Sequence, residues 1–344
     1  MPAVRLSGID PVAVAGSWAR ARIADPPWGS GLGLARTVLA LGTLGTLLAT
    51  PPQVLFTPLE NGMAPPFCTD VGRASAWCVM SAAPQLARWL SVGVLLAVVS
   101  GWRPRLTAIP HWWVCWSLVT SVSIGDGGDT ITADLTLLLI PVLLADSRKW
   151  HWQRPDPAAS GQLSRLVAVA ALVLNQVQVA CVYLIAGISK LGVPEWLDGT
   201  ALFYISRSVT FGAPPWLTPV WWPVTSWPVG VAAITWGAVA LEIALGLALL
   251  LPKQVRLVLL ASGLLFHDLI ALSMGLISFD CAMSGALLLY LLPIGYQVTA
   301  PKRLFQTRAL PTSAKRQLAR PVAATDPLPA FEPSASWPRA RPGP

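Results

Sequence analysis

Eight apolar runs lie between residues 33 and 296, and each is close to the ~20 residues that a helix needs to cross a bilayer. In chain order they cover residues 33–53, 86–101, 108–124, 132–146, 164–189, 228–251, 255–274 and 277–296. Only 12% of the residues are charged, about half the share typical of soluble domains. The runs therefore predict an all-α polytopic membrane protein with about eight transmembrane helices.

Composition shifts at both ends of these runs predict three parts. Residues 1–30 contain arginines but no compact apolar segment, and we interpret them as a cytoplasmic N-terminal segment. Residues 31–296 form the transmembrane domain. Residues 297–344 are rich in proline, alanine and arginine, which is typical of a disordered basic tail.

The basic residues predict the orientation. With a cytoplasmic N-terminus, 20 of the 24 lysines and arginines fall on inner segments, and Arg73, Arg88, Lys190 and Arg207 remain outside. This asymmetry is the one that the positive-inside rule describes. It predicts a multi-pass protein of the plasma (inner) membrane with both termini in the cytoplasm. The net charge of +8 then indicates membrane lipid as a partner, and nucleic acid is not predicted.

Three polar side chains near the ends of the runs are interpreted as interfacial. Arg36 lies just inside the first run, from where a long cationic side chain can reach the headgroups. His111 and His151 stand beside tryptophans, which collect at membrane interfaces. We expect all three side chains at the membrane surface.

Two of the five cysteines, Cys68 and Cys78, share the predicted outer loop 54–85. A disulfide persists in an oxidising compartment, so these two are a candidate pair, although chance co-location is the alternative. The other three cysteines lie in spans and are expected to pack as small apolar residues.

A polar stripe runs along the fifth span. Gln176, Tyr183 and Lys190 are seven residues apart, so they nearly align on one helix face. Polar stripes in membrane helices face the bundle interior or a water-filled cavity. A lysine there can lose its proton and act as a general base, which an arginine cannot. Lys190 is therefore the principal catalytic candidate.

Further polar residues are predicted to share the outer half of the membrane with Lys190. We expect one outward-facing polar cavity in which His267 carries protons, and in which Asp126, Asp129 and Asp280 bind a cation, tune the lysine or contact a substrate. No metal site is predicted, because the acidic stretch lacks the longer ligand ladder of an EF-hand loop. Glu242, near the middle of the sixth run, is interpreted as a helix-packing residue.

The stretch YLIAGISKLGVPEWLDGTALFY, residues 183–204, resembles the lysine motif of the vitamin K-dependent γ-carboxylase and the wider HTTM membrane domain. In that enzyme a similar stretch carries the catalytic base, so the resemblance implies that role for Lys190. It also implies that Trp196 and Gly199 belong to the surrounding motif. With Tyr204 they are the candidate substrate-binding residues.

The rest of the chain resembles a bacterial branch, the SdpB family of sporulation-delaying toxin maturation factors. The stretches GLARTVLALGTLGTLL and DGGDTITADLTLLLIPVLLADSRKWHW carry this resemblance most specifically. It implies a membrane-embedded factor that matures an exported peptide precursor together with a small SdpA-like protein. The carboxylase has a large luminal domain after its spans, whereas a short basic tail follows the spans here.

Three alternatives stay open at this point. The first is a quinol-dependent carboxylase-like enzyme, with a reduced quinone as cofactor. The second is a transporter or immunity protein, in which the same polar groups line a path. The third is a scaffold without chemistry, in which Lys190 only anchors the helix.

Overall fold

The computed structural model describes residues 16–17, 20–59, 65–123 and 125–298, and long helices dominate these ranges. Eight of them each exceed 14 residues. They are α1 (Ser30–Ala49), α2 (Pro84–Ser100), α3 (Pro104–Ser121), α4 (Gly127–Leu144), α5 (Gln162–Lys190), α6 (Pro228–Gly246), α7 (Lys253–Met274) and α8 (Ile277–Leu291). The described ranges contain no β-strand, only an isolated bridge between Trp102 and Trp150.

Five of these helices, α1 and α4–α7, are long and apolar enough to cross a membrane. Helices α2 and α8 are apolar but shorter, with 17 and 15 residues. The chain is thus an all-α polytopic membrane protein, as predicted, and the count of eight spans remains a prediction. Each predicted span overlaps one of the eight long helices. The predicted tail lies outside the described residues except for Gln297 and Val298.

Helix ends follow the local chemistry of the sequence. Helices α2, α3 and α6 begin with proline, whose fixed φ suits a first helical turn and whose missing N–H is not needed there. Helix α2 ends at Gly101, which has φ +86°, and α7 ends at Gly275, which has φ +76°. A left-handed residue at this place closes a helix with little strain when it is glycine. These caps explain why the apolar runs break where they do.

Two apolar cores hold the bundle together. The larger joins α1, α4, α5 and α8 around Leu39, Leu139 and Tyr290. The smaller joins α1, α2 and α3 with the buried Trp77 of the short helix Ala76–Val79. Cys78 of that short helix forms a disulfide with Cys68. The bridge links the chain around Cys68 to the helix that carries Trp77.

Small residues set the register between α5 and α6. A side chain on Gly187 would collide with Ile243 and press on Glu242, and one on Gly246 would collide with Leu184. Glycines at such positions let two membrane helices approach closely. Gly187 lies beside Glu242, the fifteenth residue of α6, and α5 ends three residues later at Lys190, so the N-terminal half of α6 continues past the end of α5.

The chain between α5 and α6 folds onto this free part of α6. It forms three short helices, Pro194–Leu197, Ala201–Ile205 and Thr218–Ser226. Trp236 Nε1 donates to the carbonyl of Leu197 over 3.3 Å. The segment 191–227 therefore covers the end of α5, where Lys190 lies.

Candidate functional site

Lys190 is the last residue of α5, and its ammonium contacts an acid on α6. Lys190 Nζ lies 2.7 Å from Glu242 Oε2 and 2.8 Å from Oε1, and it also donates to the Ala186 carbonyl at 3.2 Å. The lysine side chain is 23% exposed and the glutamate side chain 9%. The ion pair is therefore shielded, with the lysine as the more accessible partner.

Trp196 covers the ammonium from the segment 191–227. Lys190 Nζ lies 5.2 Å from the centre of the Trp196 ring, which is within cation–π range. Gly199 has φ +85°, and a side chain there would stand only 3.1 Å from Ala232. Its role in the structure is to let this turn approach α6, which fixes Trp196 above the lysine. Tyr204 is 59% exposed, and its ring packs edge-on against Phe203.

Two turns before Lys190, Tyr183 meets His267 of α7. Tyr183 Oη and His267 Nε2 lie 2.8 Å apart in a hydrogen bond whose direction depends on the histidine tautomer. Both side chains are almost fully buried. Phe266 and Phe279 pack edge-on against the imidazole, and its Nδ1 has no hydrogen-bond partner among the described residues.

Lys190 and Tyr183 lie two turns apart on α5 and each contacts a neighbouring helix, so we name Lys190, Glu242, Tyr183 and His267 together the lysine cluster. The cluster contains an amine, a carboxyl, a phenol and an imidazole, all of which can exchange protons. This arrangement is chemically suited to accept and move a proton.

The candidate acids on α4 lie elsewhere. Asp126 caps α4 by accepting from the Asp129 backbone N–H at 2.8 Å, and it also accepts from the Ser278 hydroxyl at 3.0 Å. Phe279 separates this turn from the lysine cluster, since its backbone packs on Gly128 while its ring faces His267. The acids and the lysine thus occupy two neighbouring sites.

Asp280 is the remaining predicted acid, and its side chain hydrogen-bonds to a residue of its own helix. It lies in the first turn of α8 and accepts from the Ser284 hydroxyl at 3.1 Å. Any joint action of Asp280 with Lys190 remains a prediction.

Glu242 is the residue whose role the sequence analysis missed. Its position inside an apolar run suggested helix packing, and the spacing within α6 gives no sign of its partner. The glycines Gly187 and Gly246 were the available signal, because small residues mark where helices approach. These glycines predict that another helix approaches closely, but they do not identify which helix that is.

Gln176 continues the polar stripe of α5, but its side chain contacts α8 and not the lysine cluster. Its Nε2 donates to the Tyr290 carbonyl at 3.2 Å, two turns away from Tyr183. The alignment of Gln176, Tyr183 and Lys190 thus faces the bundle interior as expected, while only Tyr183 and Lys190 join the cluster.

A second polar group, the arginine cluster, lies among α1, α3 and the chain after α4. It consists of Arg36, Thr107, His111, Asp146, Arg148 and His151. Arg36 is fully buried, and its Nη2 donates to the Thr107 carbonyl at 2.8 Å and to the Thr107 hydroxyl at 2.9 Å. The prediction that Arg36 reaches the headgroups is wrong, because α3 offers these acceptors inside the bundle.

The interfacial interpretation of His111 and His151 is also wrong, because both side chains are buried inside the bundle. Each is only 1% exposed. The His151 ring packs on Gly33 and Gly101, and a side chain at either position would collide with the ring. Burial, together with the charges of Arg36 and Arg148, lowers the pKa of His151 from 6.5 to about 3. Its imidazole is therefore neutral near pH 7.

Comparison with known proteins identifies two relatives from Bacillus subtilis (strain 168). An uncharacterized protein, YitO, is 35% identical over 271 residues, which are 78% of this chain and 87% of the relative. The sporulation-delaying protein SdpB is 32% identical over 276 residues, which are 79% of this chain and 84% of the relative. No family model and no solved structure matches. This identity over most of both sequences shows that the chain belongs to the SdpB family.

Proposed function

We propose that this protein is a membrane-embedded maturation factor for an exported peptide in a sporulation-delaying system, and that Lys190 handles a proton in that maturation. The relationship to SdpB supports the role. The observation that carries the chemical part is the shielded contact between Lys190 Nζ and Glu242 Oε2 at 2.7 Å. A lysine that serves only as an anchor needs no acid on a neighbouring helix.

In this proposal Lys190 is the base, and Glu242 is its proton partner. At 2.7 Å a proton can pass between the amine and the carboxyl without movement of either helix. The pair can exist as ammonium with carboxylate or as amine with carboxylic acid. In the second form the Lys190 amine has a lone pair with which to take a proton from a substrate.

His267 is proposed as a proton carrier acting through Tyr183. The 2.8 Å contact between Tyr183 and His267 gives a route away from the pair. An imidazole can accept at one nitrogen and donate at the other. We further propose that the peptide or a cation contacts Asp126, Asp129 and Asp280 beside this route.

The segment 191–227 is the proposed peptide contact. Trp216, Trp222 and Trp227 are 63%, 44% and 60% exposed, and Tyr204 lies on the same segment. Exposed aromatic side chains with few rotatable bonds are typical of binding surfaces. Trp196 and Gly199 then link the bound peptide to the lysine beneath. A small SdpA-like protein is the proposed partner in delivering it.

A quinol-dependent carboxylase-like reaction is the second candidate. The position of Trp196 over Lys190, with Gly199 fixing the turn, agrees with the carboxylase motif that the sequence resembles. A reduced quinone is the cofactor that this candidate requires. Quinol-dependent uptake of labelled carbon dioxide by the purified protein would distinguish it from other peptide maturation.

Exchange of Lys190 for arginine tests the proposal. Maturation of the cognate exported peptide is measured for wild type, Lys190→Arg and Lys190→Ala at matched membrane levels. General-base catalysis contributes about 10²–10⁴-fold in rate, so both variants are expected to lose that much. Wild-type maturation by Lys190→Arg would leave Lys190 as an anchor. Normal maturation by both variants would point to the scaffold, transporter or immunity alternatives.

The proposed orientation places both termini in the cytoplasm and the segment 191–227 outside. A single cysteine at position 215 or 310, in a background without native cysteines, is treated with a membrane-impermeant thiol reagent in intact cells. Labelling is expected at position 215 and not at 310. The reverse pattern would invert the orientation and expose the other end of the bundle.

A further inference from the structure

A cavity of about 690 Å³ opens at the opposite end of the bundle from Lys190. Its walls come from α5, the beginning of α7 and the end of α8. Val173, Gln176, Leu257 and Tyr290 are among its lining residues. Ligand sites for small molecules commonly have volumes of about 300–1,000 Å³, so this space is large enough to hold one.

The cavity exists because α6 is short on this side. Helix α6 ends at Gly246, which packs against Leu184 of α5. Gln176 and Val173 lie eight and eleven residues earlier in α5, which is about two to three helical turns. That stretch of α5 therefore has no α6 side chains against it.

Hydrogen bonds fix the walls of the cavity. Gln176 Nε2 donates to the Tyr290 carbonyl, and the Tyr290 hydroxyl donates to the Leu245 carbonyl at 2.9 Å. Arg256 Nε donates to the Leu251 carbonyl at 2.9 Å, which holds the turn between α6 and α7. These hydrogen bonds therefore hold the residues around the cavity in defined positions.

The lining combines one sign of charge with apolar surface. Arg22, Lys253 and Arg256 contribute cationic groups, and no acid is among the lining residues that the structure describes. Leu257 and Ile294 belong to the apolar remainder of the lining. This chemistry fits a molecule with an anionic head and a hydrocarbon part, whereas a neutral quinone ring would offer no charge to Lys253 and Arg256.

We propose that this cavity binds an acidic phospholipid, with its phosphate at Lys253 and Arg256 and the first part of its acyl chains along Leu257. In the proposed orientation, on which this inference rests, this end of the bundle lies at the cytoplasmic leaflet, which carries the anionic lipids. Basic pockets between membrane helices on that side recognise such headgroups. The proposal is independent of the chemistry at Lys190.

The test measures lipid retained by the purified full-length protein. The protein is incorporated into nanodiscs of phosphatidylcholine and phosphatidylglycerol, re-extracted in mild detergent, and examined by native mass spectrometry. One basic residue near the membrane surface contributes about fivefold to the binding of acidic lipid. Lys253→Gln is therefore expected to lower phosphatidylglycerol retention by about fivefold, without lowering phosphatidylcholine retention.

Lys149→Gln is the matched control, because Lys149 is an exposed lysine at the same end of the bundle and is not among the cavity-lining residues. Leu257→Trp changes no charge but fills the cavity, and it is expected to lower retention as well. Excess inorganic phosphate is expected not to displace the lipid. Equal losses in Lys149→Gln and Lys253→Gln, displacement by phosphate alone, or unchanged retention in Leu257→Trp would each overturn the proposal.

Discussion

Lys190 of the lysine cluster and Arg36 of the arginine cluster are held in different ways. Lys190 contacts a carboxylate, keeps 23% of its side chain exposed and has an aromatic ring above it. Arg36 is fully buried, donates to Thr107, and makes no ion pair within the described part of the chain. A lysine can change its charge during a reaction, whereas an arginine cannot. The contrast is the basis of our proposal that Lys190 takes part in chemistry and that Arg36 serves helix packing.

Removing one partner of the lysine pair is expected to have the largest effect. Glu242→Leu leaves the shielded ammonium of Lys190 without its carboxylate partner. Breaking such a pair typically costs about 3–5 kcal/mol of stability. The double variant Lys190→Met with Glu242→Leu removes both charges and is expected to recover most of that stability without recovering peptide maturation. Thermal unfolding in detergent and the maturation assay provide the two measurements. Recovered maturation in the double variant would make the pair purely structural.

A conservative exchange at Arg36 is expected to affect stability and not chemistry. The lysine side chain is one atom shorter than that of arginine, so its ammonium does not reach the position from which Arg36 Nη2 donates to both Thr107 oxygens. A hydrogen bond to a charged group contributes about 1.5–3 kcal/mol. Arg36→Lys should therefore lower the free energy of unfolding by about that amount. Maturation per folded molecule should stay at the wild-type level.

Thr107→Val serves as the control for Arg36, because it removes the hydroxyl acceptor and leaves the carbonyl in place. Its loss of stability should be smaller than that of Arg36→Lys. A strong loss of specific activity in Arg36→Lys, at normal stability, would end the contrast between the two clusters.

The pH dependence of stability should report on His151 in the arginine cluster. The unfolded chain takes up a proton near the ordinary pKa of 6.5, whereas the pKa of the folded His151 is about 3. Protonation therefore favours the unfolded state, and the free energy of unfolding falls as the pH drops from about 6.5 towards 3. His151→Gln should flatten this part of the profile in detergent. An identical profile in the variant would assign the effect to other groups.

The smallest effect is expected at Trp196. A partly shielded cation–π contact contributes about 0.5–2 kcal/mol, so Trp196→Leu should reduce maturation by a few-fold to some thirty-fold. Trp236→Leu is the control, because it removes the hydrogen bond that holds the segment 191–227 at Leu197 and leaves the Trp196 ring itself in place. Equal losses in the two variants would indicate a general effect on the segment 191–227.

The helices could be predicted from the sequence because each apolar run carries its own signal. The site could be predicted only where one helix supplies the pattern, as the seven-residue spacing of Tyr183 and Lys190 does. Pairing Lys190 with Glu242 depends on how far α6 slides along α5, and that register is set by Gly187 and Gly246. Spacing within one helix carries no information about it.

The errors at Arg36, His111 and His151 have a related cause. A hydropathy pattern treats the end of a run as facing the membrane surface. Thr107 instead accepts hydrogen bonds from Arg36 inside the bundle, and the glycines at 33 and 101 leave interior space for His151. Such places are created by the packing of several helices, so no single run predicts them.

The pairing of Lys190 with Glu242 also has a consequence for biogenesis. Glu242 lies 52 residues after Lys190, so α5 leaves the insertion machinery well before the acid on α6. A charged side chain opposes the insertion of an isolated helix by up to about 3 kcal/mol. We expect α6 to enter the membrane more completely when α5 with Lys190 is already present. Glycosylation mapping of α6 with and without α5 would measure this cooperation, and equal insertion in both cases would exclude it.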